Sequence, residues 1–356
     1  MRLLSIVAMA TLLAGQDEPK FAVRSNLVFL PTRVQDKKGE TIYGLTPEQF
    51  IVEDNGVRQA VNIDEDPESS GLSLVVAVQC SRSAELELKK LKGLGAMIEA
   101  ITGGAPHEVA VLAYGAEPYV LGDFSRSSVE TRIALTKLRD CSSRFAATID
   151  TVDFAIHMLD HSRNHYRRAI LLIGETRDHG SKAKLQEVVA ELGVTDTVIY
   201  SVAFSPARDE VLDDMRHAND AYNPDPPKPP PPKPPPLEDS KPGMTSAERP
   251  PLINWPPELV MIVNALKRNS ASELASLSGG EYVNFTTQKG FDASLQRIAN
   301  QIHNYYLLSF KPTADDKWSL HTLKVRVPEY PNAVILTRKN YWSGTLDSSG
   351  ADKVAK

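Results

Sequence analysis

The sequence predicts an α/β protein whose mostly parallel sheet is covered by helices on both faces. Between residues 72 and 204, near-continuous runs of valine, isoleucine and leucine alternate with amphipathic helical patterns. This alternation is typical of parallel strands that are buried on both faces. Segments rich in β-forming residues lie at 21–66 and 304–343, on either side of this region. They predict an additional small β module.

The composition is that of an ordinary soluble globular chain. It has 356 residues, of which 42% are hydrophobic and 24% charged, and a formal net charge of -5. No long basic run is present, so we expect neither a nucleic-acid partner nor an anionic-membrane surface. No run approaches the length of a membrane-spanning helix, so no membrane span is predicted.

The first residues have the pattern of a secretory signal peptide. Arg2 precedes an apolar run from Leu3 to Ala14, which ends in small residues. This run is too short to span a bilayer as a helix. We therefore predict that residues 1–15 are a signal peptide, and that the protein is secreted, periplasmic or associated with the cell envelope.

The N-terminal β segment, 21–66, carries two local signals. Thr46 followed by Pro47 and Gln49 has the pattern of a capping box at the start of a short helix. Asn55-Gly56 between two β-rich runs predicts a hairpin. The terminal β segments either pair into one small sandwich or form two separate appendages.

The α/β region is predicted to cover residues 70–303. Its strands are predicted in the runs LSLVVAVQ, HEVAVLAYG, EPYVLGDF, RRAILLIG, TDTVIYSVAF and GGEYVNF. Its helices are predicted at residues 84–101, 128–140, 148–162, 184–194, 258–277 and 290–303. A Pro-rich insertion, about 205–256, interrupts the region after its fifth strand, and its tract PDPPKPPPPKPPP predicts a polyproline II spacer. Residues 344–356 are predicted to be a disordered tail.

Polar residues gather where the predicted strands end, the place where open parallel sheets bind ligands. The first strand of the α/β region is followed by QCSRS, residues 79–83. A later helix begins at Thr148, and the strand RRAILLIG is followed by Glu175. We expect these residues to lie at one edge of the sheet.

This order resembles that of a von Willebrand factor A domain. That family carries an Asp-x-Ser-x-Ser loop, a later Thr, and an Asp after the central strand, which together form a metal-ion-dependent adhesion site. The chain is also similar over nearly its whole length to bacterial (acidobacterial) VWFA-related proteins, through GGEYVNF and the closing NYYLLSFKP, LKVRVP and LTRKNYW. The resemblance implies a von Willebrand A-type doubly wound sheet. It matches Ser81, Ser83 and Thr148 to the site, with Gln79 and Glu175 in place of its two aspartates.

These replacements predict a degenerate ion site. A hard divalent ion takes oxygen ligands that usually include carboxylates, and Gln79 removes one negative charge. Three interpretations remain open: a metal-free loop surface, a retained Mg2+ or Mn2+ site, and a purely structural loop. Arg82 stands where the family has Gly between the serines. Its guanidinium either replaces the cation and pairs with Glu175, or points to solvent.

The resemblance also places Cys80 and Cys141 in loops at the same sheet edge. A disulfide between them would close a loop of about 60 residues. The alternative is two separate buried thiols.

The sequence therefore predicts an exported, non-catalytic protein-interaction or adhesion-like module without a cofactor. An unidentified protein partner is expected to bind the loops at the carboxyl ends of the strands. The alternatives are a metal-dependent (Mg2+ or Mn2+) adhesion domain, a structural envelope component, and a hydrolase that uses Glu175, Asp178 and His179. No GxSxG, HExxH or phosphate-loop motif supports an enzyme.

Overall fold

A computed structural model describes residues 27–64, 71–162, 164, 166–204, 257–312 and 319–343. The predicted signal peptide (1–15), the Pro-rich insertion (205–256) and the C-terminal tail (344–356) lie outside the described residues.

The strands and helices are numbered in chain order. The strands are β1 Val28–Gln35, β2 Ile51–Asp54, β3 Val57–Gln59, β4 Asn62–Asp64, β5 Leu72–Gln79, β6 His107–Tyr114, β7 Pro118–Ser125, β8 Arg167–Glu175, β9 Val198–Phe204, β10 Tyr282–Phe285, β11 Tyr306–Phe310, β12 Ser319–Arg326, β13 Val334–Leu336 and β14 Asn340–Ser343. The helices are α1 Glu85–Leu88, α2 Leu94–Thr102, α3 Ser128–Thr136, α4 Thr148–Asp160, α5 Leu185–Val194, α6 Pro257–Arg268, α7 Ser270–Ser278 and α8 Gln288–His303.

The central sheet has six strands in the order β10-β9-β8-β5-β6-β7. All neighbouring strands are parallel except β7, which runs antiparallel to β6 at one edge. Every residue of β5 is buried, as expected for a strand near the middle of a sheet covered on both faces. This architecture, together with the β module, confirms the predicted fold class.

Two hydrophobic clusters lie on opposite faces of the sheet. One packs α2 and α8 against the sheet through side chains that include Ile98 and Leu295. The other packs α4, α5 and α7 against the opposite face through side chains that include Ile156, Leu192 and Leu274. Within the described residues, no helix combines the length and the apolar content needed to cross a membrane.

Two predicted helices are broken in the structure. The stretch 84–101 divides into α1 and α2, because Gly93 adopts a left-handed backbone with φ of 90° between them. The stretch 258–277 divides into α6 and α7 at Asn269, whose side chain caps α7 by accepting from the backbone N of Ser272 at 2.9 Å.

The terminal segments build two four-stranded sheets, in the orders β13-β1-β11-β4 and β14-β12-β2-β3. Each sheet combines strands from both ends of the chain. Leu30 and Leu308 of one sheet and Val52 and Leu323 of the other belong to a single core cluster. The structure thus has one sandwich rather than two appendages.

A buried polar cluster links three strands of one sheet of the sandwich. The Asp54 carboxylate on β2 lies 2.7 Å from His321 Nδ1 on β12 and accepts from the Tyr341 hydroxyl on β14 at 2.6 Å. Buried polar groups of this kind are stable only when they are paired. The cluster therefore specifies how N- and C-terminal strands align, and the sequence pattern did not indicate it.

Candidate functional site

Gln79 and Glu175 end the neighbouring strands β5 and β8, and their side chains meet at the carboxyl edge of the sheet. The Gln79 side chain is fully buried. Its Oε1 accepts from the backbone N of Glu175 at 2.7 Å. Because a backbone N–H can only donate, this contact fixes the carboxamide with its oxygen towards β8 and its nitrogen towards the serine loop.

The amide nitrogen of Gln79 lies among three oxygens. Nε2 is 2.6 Å from Ser81 Oγ, 3.0 Å from Ser83 Oγ and 3.0 Å from Glu175 Oε1. The two hydroxyl oxygens are 2.9 Å apart. A hydrogen-bond donor thus lies at the point on which these oxygens converge, and it contacts the buried carboxylate of Glu175.

The structure does not bring the Arg82 side chain to this group of oxygens, where the Gln79 amide nitrogen lies instead. Arg82 is exposed, in agreement with the alternative that it points to solvent. Within the described part of the chain, Glu175 forms an ion pair with His179, at 3.5 Å, and none with Arg82. The Arg82 backbone N donates to Ser143 O at 2.9 Å, which directs the residue towards the neighbouring loop.

Thr148 lies beside this cluster rather than around the amide nitrogen. It is buried at the first position of α4, and its hydroxyl donates to Ala146 O at 3.4 Å. The Thr148 hydroxyl also lies near Tyr114, whose phenol has its pKa raised by burial, while the neighbouring Thr148 hydroxyl opposes that shift. Thr148 therefore completes the packing around the site.

Gly174 provides the space for the Gln79 amide. A Cβ at this position would lie 2.0 Å from the Tyr114 hydroxyl oxygen and 2.8 Å from Gln79 Oε1. Neither Tyr114 nor Gly174 was singled out from the sequence. The available signal was a glycine inside an apolar strand, which marks a close approach of neighbouring atoms.

A disulfide joins two loops at this edge. Cys80 and Cys141 are bonded, with their Cα atoms 5.3 Å apart. Backbone hydrogen bonds reinforce the link, from Cys141 N to Cys80 O at 2.8 Å and from Arg82 N to Ser143 O at 2.9 Å. The disulfide and these hydrogen bonds consequently fix the two loops to one another.

The loop after β8 caps helix α4. Asp178 Oδ1 accepts from Ile149 N at 3.0 Å and from the Ser181 hydroxyl at 2.5 Å. His179 is about half exposed and its ring lies beside Glu175. Since the Ser181 hydroxyl donates to Asp178 rather than to His179, these residues stabilise a helix N-terminus and do not form a serine–histidine relay.

Phe145 is an exposed aromatic residue on these loops. Its side chain is 53% exposed and packs against Gly180, where a Cβ would lie 2.7 Å from Phe145 Cδ1. Arg144 and Arg82 are exposed beside it. The carboxyl edge thus presents one fixed aromatic ring together with cationic side chains.

No protein-family model and no curated protein sequence matches this chain. Similar solved structures include the conserved hypothetical protein BatB from Bacteroides thetaiotaomicron, at 13% identity over 65% of this chain and 100% of that one, with a TM-score of 0.37. The SpRpn10 VWA domain aligns at 15% identity over 43% of this chain and 82% of its own, with a TM-score of 0.31. Proximal thread matrix protein 1 from the mussel byssus aligns at 12% identity over 44% of this chain and 41% of its own, with a TM-score of 0.33. Because the sequence identities and TM-scores of these alignments are low, the fold is assigned from the strand order of the central sheet and not from the alignments.

Proposed function

We propose that this chain is an exported, non-catalytic protein-interaction module that binds its partner through the loops at the carboxyl edge of the sheet, without a divalent ion. The observation that carries the proposal is the position of the Gln79 amide nitrogen among Ser81, Ser83 and Glu175. This side chain supplies the contacts that a cation would otherwise make.

Gln79 opposes ion binding in two ways. An ion at this point would have to displace Nε2 from all three oxygens, and it would gain only the single carboxylate of Glu175 among them. Turning the carboxamide to offer its oxygen would place Nε2 against the backbone N of Glu175, now 2.7 Å from Oε1. Two donors would then face each other in a buried setting, which is costly.

The fixed loops favour an interaction surface. Loops that a disulfide and backbone hydrogen bonds hold in place lose little entropy on binding. Aromatic and arginine side chains are enriched in protein interfaces and dominate their energetics. Phe145, Arg144 and Arg82 provide this combination, and their charge suits a partner segment that carries carboxylates.

The site contacts do not assemble a nucleophile with its base. Within the described chain, the Ser81 hydroxyl contacts Ser83 and the Gln79 amide, and neither of these groups is a general base. Export is supported by the predicted signal peptide and by the disulfide, since disulfides persist in oxidising compartments.

The alternative, a Mg2+- or Mn2+-dependent adhesion domain, is favoured by one feature. The oxygens of Ser81, Ser83 and Glu175 still converge on one point. In that case partner binding would require the ion and would be lost in EDTA.

A photo-crosslinking amino acid at Phe145 distinguishes these functions, with Val129 as the control. The two side chains are 53% and 54% exposed, and Val129 lies on α3, away from these loops. In envelope extract we expect a discrete crosslinked band from position 145, with or without EDTA, that Arg144→Glu weakens at least fivefold. Loss of the band in EDTA would support the metal-dependent alternative. Equal labelling from both positions would refute a specific surface.

A further inference from the structure

A separate group of metal-binding side chains lies between helices α4 and α5. Asp153 and His157 are one turn apart on α4, and Glu191 faces them from α5. One ligand atom from each of these residues lies within 4.8 Å of the others. The group includes an imidazole and two carboxylates, and it shares no residue with the site at the carboxyl edge.

The orientation of His157 exposes a lone pair to a carboxylate. Its Nδ1 is 2.8 Å from the backbone O of Asp153. Because a carbonyl oxygen only accepts, Nδ1 carries the hydrogen, and in the neutral ring Nε2 is an acceptor. Nε2 lies 3.3 Å from Glu191 Oε1. Two acceptors this close attract each other only through an electron-poor atom between them, and a metal ion is such an atom.

The distance fits a tetrahedral metal ion. Zn2+ binds histidine nitrogen and carboxylate oxygen at about 2.0–2.2 Å, so neighbouring ligands in a tetrahedron are about 3.3–3.5 Å apart. The separation of 3.3 Å between His157 Nε2 and Glu191 Oε1 matches this distance between neighbouring ligands. Asp153 lies one turn before His157 on the same helix surface, and its ligand atom is within 4.8 Å of the other two.

The surroundings also suit an ion. The contact from Nδ1 to a backbone carbonyl is the outer-shell bond that commonly orients a metal-binding histidine. The His157 and Glu191 side chains are 27% and 11% exposed, so the ligands are held by packing yet reachable from solvent. Two carboxylates balance the charge of a divalent ion.

From this geometry we infer that Asp153, His157 and Glu191 form a Zn2+ site that joins α4 to α5, with water in the fourth position. The nitrogen ligand selects a transition metal of the zinc type over Mg2+ and Ca2+, which prefer oxygen ligands throughout.

Calorimetric titration of the oxidised full chain with Zn2+ tests this site. We expect one ion per chain with a micromolar or lower Kd, unaffected by millimolar Mg2+. His157→Ala should weaken binding at least a hundredfold, and Glu191→Gln and Asp153→Asn at least tenfold each. Co2+ should give the visible absorption bands of a tetrahedral complex, and these should disappear in His157→Ala.

Two matched controls separate this site from other ligands. His161→Ala removes the next histidine of the same helix surface, and Ser81→Ala removes a hydroxyl of the carboxyl-edge site. Both variants should bind Zn2+ as the wild type does, and thermal unfolding should show that every variant is folded. Absence of Zn2+ binding to the wild type would overturn the inference. Retained affinity in His157→Ala, or equal loss in His161→Ala, would also overturn it.

Discussion

Replacing Gln79 with glutamate isolates the role of the amide nitrogen. Gln79→Glu keeps the shape of the side chain and the oxygen that accepts from the backbone N of Glu175. It exchanges the donor Nε2 for a carboxylate oxygen, which would lie about 3 Å from Glu175 Oε1, as the nitrogen does now. Both carboxyl groups would be buried. The variant should therefore be unstable without a cation and should depend on one for stability.

The expected loss follows from the contacts of the nitrogen. It donates towards one carboxylate and two hydroxyls, and a hydrogen bond to a charged group contributes about 1.5–3 kcal/mol where a neutral one contributes about 0.5–1.5 kcal/mol. An unpaired charge left in a buried site costs about 3–5 kcal/mol. We expect the free energy of unfolding to fall by about 3–5 kcal/mol, which corresponds to a decrease in Tm of about 6–20 °C.

Thermal unfolding in EDTA and in millimolar Mg2+ measures both consequences. The Gln79→Glu variant should unfold earlier in EDTA and recover most of the loss in Mg2+, while the wild type, likewise prepared free of Zn2+, should unfold at the same temperature in both. Gln49→Glu is the control, because Gln49 Nε2 also donates to a carboxylate, that of Glu329, but at an exposed position. Its cost should be under about 1 kcal/mol. A Gln79→Glu variant as stable in EDTA as the wild type would refute the reasoning.

Two further predictions concern the surroundings of the site. Gly174→Ala should lower the free energy of unfolding by about 1–3 kcal/mol, because its Cβ would clash with the Tyr114 hydroxyl. Tyr114→Phe in the same chain should recover part of this loss in urea unfolding, and independent, additive effects would contradict the proposed contact. Cys80→Ser with Cys141→Ser should lower stability by about 4 kcal/mol, because the disulfide joins residues 61 positions apart. An unchanged urea midpoint would contradict a stabilising disulfide.

The strands of the central sheet were predictable because a strand that is buried on both faces has apolar side chains at almost every position. The run from Leu72 to Val78 is of this kind, and β5 covers it. The sequence did not predict the helix interruptions at Gly93 and Asn269, because the helical spacing of apolar residues continues across both positions. Pairing between the two terminal segments joins residues more than 240 positions apart, as in the register of Leu30 with Leu308, and a local pattern cannot specify such contacts.

The site was predictable in position but not in chemistry. Strand ends and loop residues indicated that Gln79, Ser81, Ser83 and Glu175 would lie at one edge. Charge alone suggested Arg82 as the cation substitute. The position depends instead on side-chain direction: Gln79, the last residue of β5, faces the oxygens, while Arg82 begins a short helical turn (Arg82–Ala84) and is exposed.

The most direct test of the metal-free site is calorimetric titration of the wild-type chain with Mg2+. Mg2+ prefers oxygen ligands, so it reports on the carboxyl edge rather than on the histidine group between α4 and α5. If the Gln79 amide occupies the ion position, no saturable heat should appear up to millimolar Mg2+. Micromolar binding that Ser81→Ala abolishes would contradict a metal-free site.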